Sequence, residues 1–119
     1  MITATMKMIR QLFLLVLPIT AAVAEDSVST PVTYIIDVRT ESEWNSGHLE
    51  GAILIPHDRI ESGITKLAVD RKTKIHLYCR SGRRTAIAVD ALKKSGYLDV
   101  VNLGTMENAS KVLCKRITK

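Results

Sequence analysis

Cysteine is scarce in this chain of 119 residues: only Cys79 and Cys114 are present. One pair does not make a disulfide-framework protein. The two thiols are not in C-x-x-C spacing, and His48, His57 and His76 are scattered. That excludes the usual ligand patterns of a metal site. Internal repeats and low-complexity tracts are lacking too. The apolar stretch from Leu12 to Val23 falls short of the roughly 20 residues that a membrane span needs. Charge is modest: the formal +5 drops to +3 without Lys7 and Arg10, which is little basis for nucleic-acid binding.

What is present begins with a leader pattern. Lys7 and Arg10 precede the apolar stretch, and Ala22-Val23-Ala24 supplies a small-residue exit before Glu25-Asp26. This reads as a secretory signal peptide over 1–24, cleaved near Ala24, with a periplasmic or otherwise secreted product and no stable membrane anchor. Residues 25–33, polar and holding Pro31, read as a flexible lead-in. Residues 34–119 are then one domain, large enough for its own core.

Within that domain, apolar runs alternate with helical patterns. Strands are expected at Tyr34–Val38, Ala52–Ile55, Lys74–Tyr78 and Val100–Leu103. Thr40 and Glu43 match a capping box for a short helix through Ser46, stopped at Gly47. Further helices are expected over Ile60–Val69, Arg84–Lys94 and Met106–Arg116. Strands alternating with helices imply an α/β domain with a mostly parallel sheet. Such sheets bind ligands beyond the carboxyl ends of their strands, and Cys79 stands at such an end.

The stretch Cys79-Arg80-Ser81-Gly82-Arg83-Arg84-Thr85 carries the chemistry. A nucleophilic cysteine acts as a thiolate, favoured by nearby cations and by a helix N-terminus. Arg80, Arg83 and Arg84 offer charge, the helix beginning near Arg84 offers unpaired N–H groups, and Gly82 permits a tight turn. No histidine is near Cys79, so the environment alone must hold the charge. A buried, inert cysteine before a solvated basic turn is the bland alternative, but strand, cysteine, Gly-containing basic loop and helix follow in the functional order. Phosphatase loops place arginine after five intervening residues, where this chain has Thr85. Arg84 comes one place earlier, which makes a smaller cradle.

These residues resemble the single-domain rhodaneses, sulfurtransferases of which the small exported phage-shock type is especially similar. Asp37-Val38-Arg39, Glu43-Trp44, Gly47-His48-Leu49-Glu50-Gly51-Ala52 and Ile55-Pro56 resemble the family's upstream signature, and the Cys79 loop resembles its active loop. Gly96-Tyr97 and Val100–Gly104 resemble its closing segment, except that Thr105 replaces a second glycine. The resemblance implies a rhodanese-like four- or five-stranded, mostly parallel sheet with helices on both faces. It implies a Cys79 persulfide formed from thiosulfate and discharged to cyanide or a small thiol. It implies substrate contacts from Arg80, Ser81, Gly82, Arg83 and Arg84, with Arg84 also a candidate to pair with a carboxylate under the loop. No cofactor beyond the covalent persulfide and no metal are expected. A monomer is expected, with a thiol-redox protein as a candidate partner. The alternatives are a non-enzymatic persulfide carrier and, less favoured, a cysteine phosphatase or arsenate reductase.

Other residues read as structural. Asp37 and Arg39 fit an ion pair holding the first loop, His48 a satisfied turn histidine, Trp44 a core residue and His76 a half-buried strand residue. Cys114 could resolve or pair with Cys79, but a quiet helix thiol is the favoured reading. Lys111, Lys115, Arg116 and Lys119 fit a solvated tail.

Overall fold

Alternating apolar segments pair much as their pattern dictates in the computed structural model, which describes residues 32–119. The expected signal peptide, and the lead-in as far as residue 31, lie outside the described residues. In chain order the elements are β1 (Thr33–Asp37), α1 (Glu41–Asn45), β2 (His48–Leu49), β3 (Ile53–Leu54), a 3-10 turn (His57–Arg59), α2 (Ile60–Lys66), β4 (Lys74–Cys79), α3 (Arg83–Lys94), β5 (Asp99–Thr105), α4 (Met106–Leu113) and β6 (Ile117–Thr118).

The four expected strands form one parallel sheet in the order β3-β1-β4-β5. Both of its faces are covered, which is why its strands read as unbroken apolar runs rather than alternating ones. On one face α2 and α3 bury Ile60, Ile64, Ala88 and Leu92 against Ile36, Val38, Ile75 and Leu77. On the other, α4 buries Ala109 against Ile35, Tyr78 and Leu103, with Leu49 alongside. Each fully buried Ile or Leu contributes about 1.5–3 kcal/mol relative to exposure. In α3 the buried positions are Thr85, Ala88 and Leu92, the spacing of one helical face.

Among the described residues, a fifth strand does not join the sheet. Instead β2 pairs antiparallel with β6, His48 opposite Thr118 and Leu49 opposite Ile117. That pairing also corrects the expected last helix, which stops at Leu113 rather than Arg116. Cys114 takes a left-handed conformation (φ 54°) and turns the chain, and the tail returns to β2 with Glu50 N–H donating to Arg116 O at 2.8 Å. The tail cations Lys111, Lys115, Arg116 and Lys119 are exposed, as expected.

Register positions the site. Asp37 sits beside Tyr78, and Cys79 beside Thr105. The turns after β1, β4 and β5 therefore emerge together at the carboxyl edge of the sheet. The register of β4 against β5 shifts between Leu77 and Cys79, an irregularity of the kind that re-aims a side chain.

Candidate active site

Cys79 is fully buried at the end of β4, and the loop that follows folds back over its sulfur. Gly82 N–H donates to Cys79 Sγ at 2.8 Å. The turn requires glycine. Gly82 has φ +91°, and a Cβ there would lie 3.3 Å from Gly104 Cα. Gly82 is also the N-cap of α3 and brings no side-chain acceptor to the helix's unpaired N–H groups. The sulfur takes that place. Burial pushes the thiol pKa up, but the Thr85 hydroxyl and the N–H groups of Thr85, Ser81 and Gly82 outweigh it, and the net shift is downward. Thr85 Oγ1 is itself buried and, among the described residues, has no partner of regular hydrogen-bond geometry. A hydroxyl proton rotates to suit its acceptor, so the charged sulfur is the state that satisfies this group.

This corrects the source of the charge stabilisation. Amides and a hydroxyl lead it, whereas the sequence pattern pointed equally to arginines. Arg80 and Arg83 are exposed on the rim. Arg84 is committed to Glu43, Nη1 to Oε1 at 2.7 Å and Nη2 to Oε2 at 3.0 Å, as the carboxylate-pairing alternative anticipated. It feels the Cys79 charge only behind that pairing. Glu43 in turn completes the capping box of α1, accepting from Thr40 N–H at 3.0 Å while Thr40 Oγ1 accepts from Glu43 N–H at 3.2 Å. The Arg84 guanidinium, followed by the Thr40 donors, holds the Glu43 carboxyl at about 2 against its burial. One carboxylate thus ties α1 to the first turn of α3.

The loop after β1 is held more tightly still. Asp37 and Arg39 form a buried pair at 2.7 Å, and Arg39 also donates to Gly47 O at 2.6 Å. Arg39 N–H donates to Asp37 Oδ1 at 2.9 Å, so the same carboxylate fixes the turn backbone. The structural reading of both residues therefore stands. His48 Nδ1 lies 3.0 Å from Trp44 O, and its ring stacks on Trp44 at 3.5 Å. Trp44 is only half-buried, a correction to its expected core position: α1 lies at the surface and its indole faces His48 instead. His76 is half-buried as expected, and burial lowers its pKa. Tyr78, whose role the sequence did not suggest, is fully buried and accepts from Leu49 N–H at 2.9 Å.

Thr105 proves suited to its place. Its backbone is ordinary extended chain (φ −86°), and its hydroxyl caps α4 by accepting from Asn108 N–H at 3.0 Å. The left-handed turn falls on Gly104, φ +74°. Thr105 itself thus follows the glycine as an ordinary extended residue at the end of the register irregularity between β4 and β5. Cys114 stands apart: both thiols are free, and Cys114 is exposed. Thr105 neighbours Cys79 across about 4.8 Å of sheet, and α4 then carries the chain about 12 Å away. Cα atoms so placed exceed the roughly 6.8 Å reach of a disulfide.

Beside the loop opens a cleft of about 330 Å³ lined by Arg39, Glu43, Ser46, Arg80, Met106 and Glu107. A larger depression of about 440 Å³ touches Thr33, Lys74 and Asp99, the starts of three strands, at the edge of the sheet away from Cys79. Among the described residues no group of three or more His, Cys, Asp and Glu side chains is arranged to hold a metal.

The sequence matches the family model for the rhodanese-like domain over residues 20–107. It is 46% identical over 71 residues to the Mycobacterium tuberculosis protein named Probable adenylyltransferase/sulfurtransferase MoeZ, covering 58% of this chain but 18% of that one. It is 32% identical over 73 residues to the thiosulfate sulfurtransferase PspE of Escherichia coli K12, covering 61% of this chain and 70% of PspE. Among solved structures it is similar to a rhodanese with anions from E. coli, at TM-score 0.62 and 30% identity, over 65% of this chain and 91% of that one. With a buried cysteine under an amide-lined loop at the end of a parallel strand, and a family match spanning the loop, the chain belongs to the rhodanese family, whose members similar to it are named as sulfurtransferases and a putative sulfur carrier.

Proposed function

We propose that this protein is a thiosulfate sulfurtransferase working through a Cys79 persulfide, exported after removal of its leader. The observation that carries the reading is the sulfur itself: buried, 2.8 Å from Gly82 N–H, with its pKa lowered by surrounding donors. The Cys79 thiolate attacks the outer sulfur of thiosulfate. The S–S bond of thiosulfate breaks, sulfite leaves with the bonding pair, and Cys79–S–S⁻ remains. The loop N–H groups of Ser81, Gly82 and Thr85 would then face the persulfide's negative charge, an arrangement like an oxyanion hole. An acceptor, cyanide in assay or a thiol in the cell, takes the outer sulfur and regenerates the thiolate.

Arg80 and Arg83, exposed on the rim, are the groups we assign to the sulfonate end of thiosulfate. Arg84 shapes the loop from beneath through Glu43. A thiol-redox protein would keep Cys79 reduced after export. A phosphatase reading is disfavoured on the same geometry: the position of a phosphatase arginine is occupied by Thr85, a buried hydroxyl. Incubation with thiosulfate should add one sulfur to the intact mass, and cyanide should then release thiocyanate with turnover. Stable loading with no turnover, and passage only to a dedicated protein, would favour the sulfur-carrier reading instead. Absence of loading would overturn the thiosulfate sulfurtransferase.

A further inference from the structure

The cleft beside the loop holds charges that its donor does not need. Of the four ionised groups lining it, two are committed. Arg39 is bound to Asp37 and Gly47 O, and Glu43 to Arg84 and Thr40. Arg80 and Glu107 are exposed and, among the described residues, make no ion pair and no side-chain hydrogen bond. Arg80 suits an anionic donor. Glu107 does not: a carboxylate at the mouth of a site that must admit a dianion repels it. Its position in the first turn of α4 gives it a modest favourable interaction with that helix end, which leaves its carboxylate oxygens open to the cleft.

We propose that the physiological sulfur acceptor is a small zwitterionic thiol, its carboxylate on Arg80 and its ammonium on Glu107. The proposal rests on the persulfide chemistry above and names its second substrate. The cleft, at about 330 Å³, is at the small end of ligand pockets and admits such a molecule. Cys79 has no exposed surface, so the acceptor must present a slender nucleophile to the loop. In the step itself, the acceptor thiol loses its proton to solvent and its thiolate attacks the outer persulfide sulfur. The S–S bond of the persulfide breaks, the electron pair returns to Cys79, and the product leaves as the acceptor's own persulfide. Donor and acceptor use Arg80 in turn, as ping-pong exchange at one site allows, and Glu107 discriminates between them.

The test is single-turnover discharge of protein loaded with thiosulfate, comparing cysteine, cysteamine and 3-mercaptopropionate at equal thiolate concentration. Wild type should discharge fastest to cysteine. In Glu107→Gln the preference for cysteine over 3-mercaptopropionate should fall about fivefold, in line with loss of one exposed charge pair. The KM for thiosulfate should also fall, because the repelling carboxylate is gone. In Arg80→Gln the preference for cysteine over cysteamine should fall similarly. A purely structural role for Glu107 would lower the melting temperature and scale all three thiols alike. Unchanged ratios in Glu107→Gln overturn the zwitterion proposal while leaving the sulfurtransferase standing. Failure of wild type to load sulfur at all overturns the sulfurtransferase, and this proposal with it.

Discussion

The two cysteines of this chain occupy opposite ends of helices. Cys79 lies before the N-terminus of α3, buried, with N–H groups converging on its sulfur. Cys114 closes the C-terminus of α4, exposed, in a left-handed turn. A helix N-terminus presents unpaired N–H groups and partial positive charge, while a C-terminus presents carbonyls and partial negative charge. Among the described residues, Cys114 Sγ accordingly finds only Lys111 O, at 3.9 Å. The same element type, met from its two ends, favours a thiolate in one place and offers it no donors in the other. Burial alone would disfavour the charged sulfur of Cys79, and the donors at the start of α3 outweigh it.

The contrast can be broken most severely at the sulfurs. Cys79→Ser should abolish thiosulfate loading, while Cys114→Ser should still gain one sulfur, both read by intact mass. Loading that depended on Cys114 would contradict the contrast. Next in size is Gly82→Ala. A side chain at φ +91° and a Cβ 3.3 Å from Gly104 Cα should cost about 1–3 kcal/mol of stability. Displacing the Gly82 N–H should also slow sulfur loading by about 10- to 100-fold. Calorimetry and stopped-flow kinetics measure the two effects.

A smaller effect is expected at Glu43. Its carboxyl is held at about 2, so the Arg84–Glu43 pair contributes fully above the ordinary carboxylate pKa and is lost as pH falls through about 2. The pair is partly exposed, so Glu43→Gln should cost only about 1 kcal/mol at neutral pH, and the difference from wild type should shrink below pH 4 in urea melts. The smallest effect is expected of Thr85→Val, which removes a hydroxyl that favours the charged sulfur. The Cys79 pKa should rise, moving the acid limb of the loading rate to higher pH, with little change on the alkaline side.

The sequence placed the four sheet strands, α3 and the Thr40–Glu43 capping box because these are local patterns. An apolar run, a helical spacing and a hydroxyl answered three residues later need no distant partner. Cys79 was legible for the same reason, as the end of one run and the start of another. The β2–β6 pair was not, because two residues carry no periodicity and their partners are about seventy positions apart. The tail's left-handed turn at Cys114 likewise falls on a residue type that does not announce it. The role of Thr85 was missed because a hydroxyl inside a helical stretch reads as filler. The signal was available: with glycine at the N-cap, the third helical residue has an N–H and a hydroxyl in need of an acceptor. The Arg84–Glu43 pair was anticipated in kind, but its partner, 41 residues upstream, emerged only from the parallel register that brings the two loops together.

The role of the amides and hydroxyl gathered at the start of α3 is to favour the Cys79 thiolate in spite of its burial. Its most direct test is a pH titration of ultraviolet thiolate absorbance in Cys114→Ser protein, where Cys79 is the sole thiol. A midpoint below the free-thiol value of about 8.5 is expected, moved upward by Thr85→Val. A midpoint at or above that value, unmoved by the substitution, would contradict it.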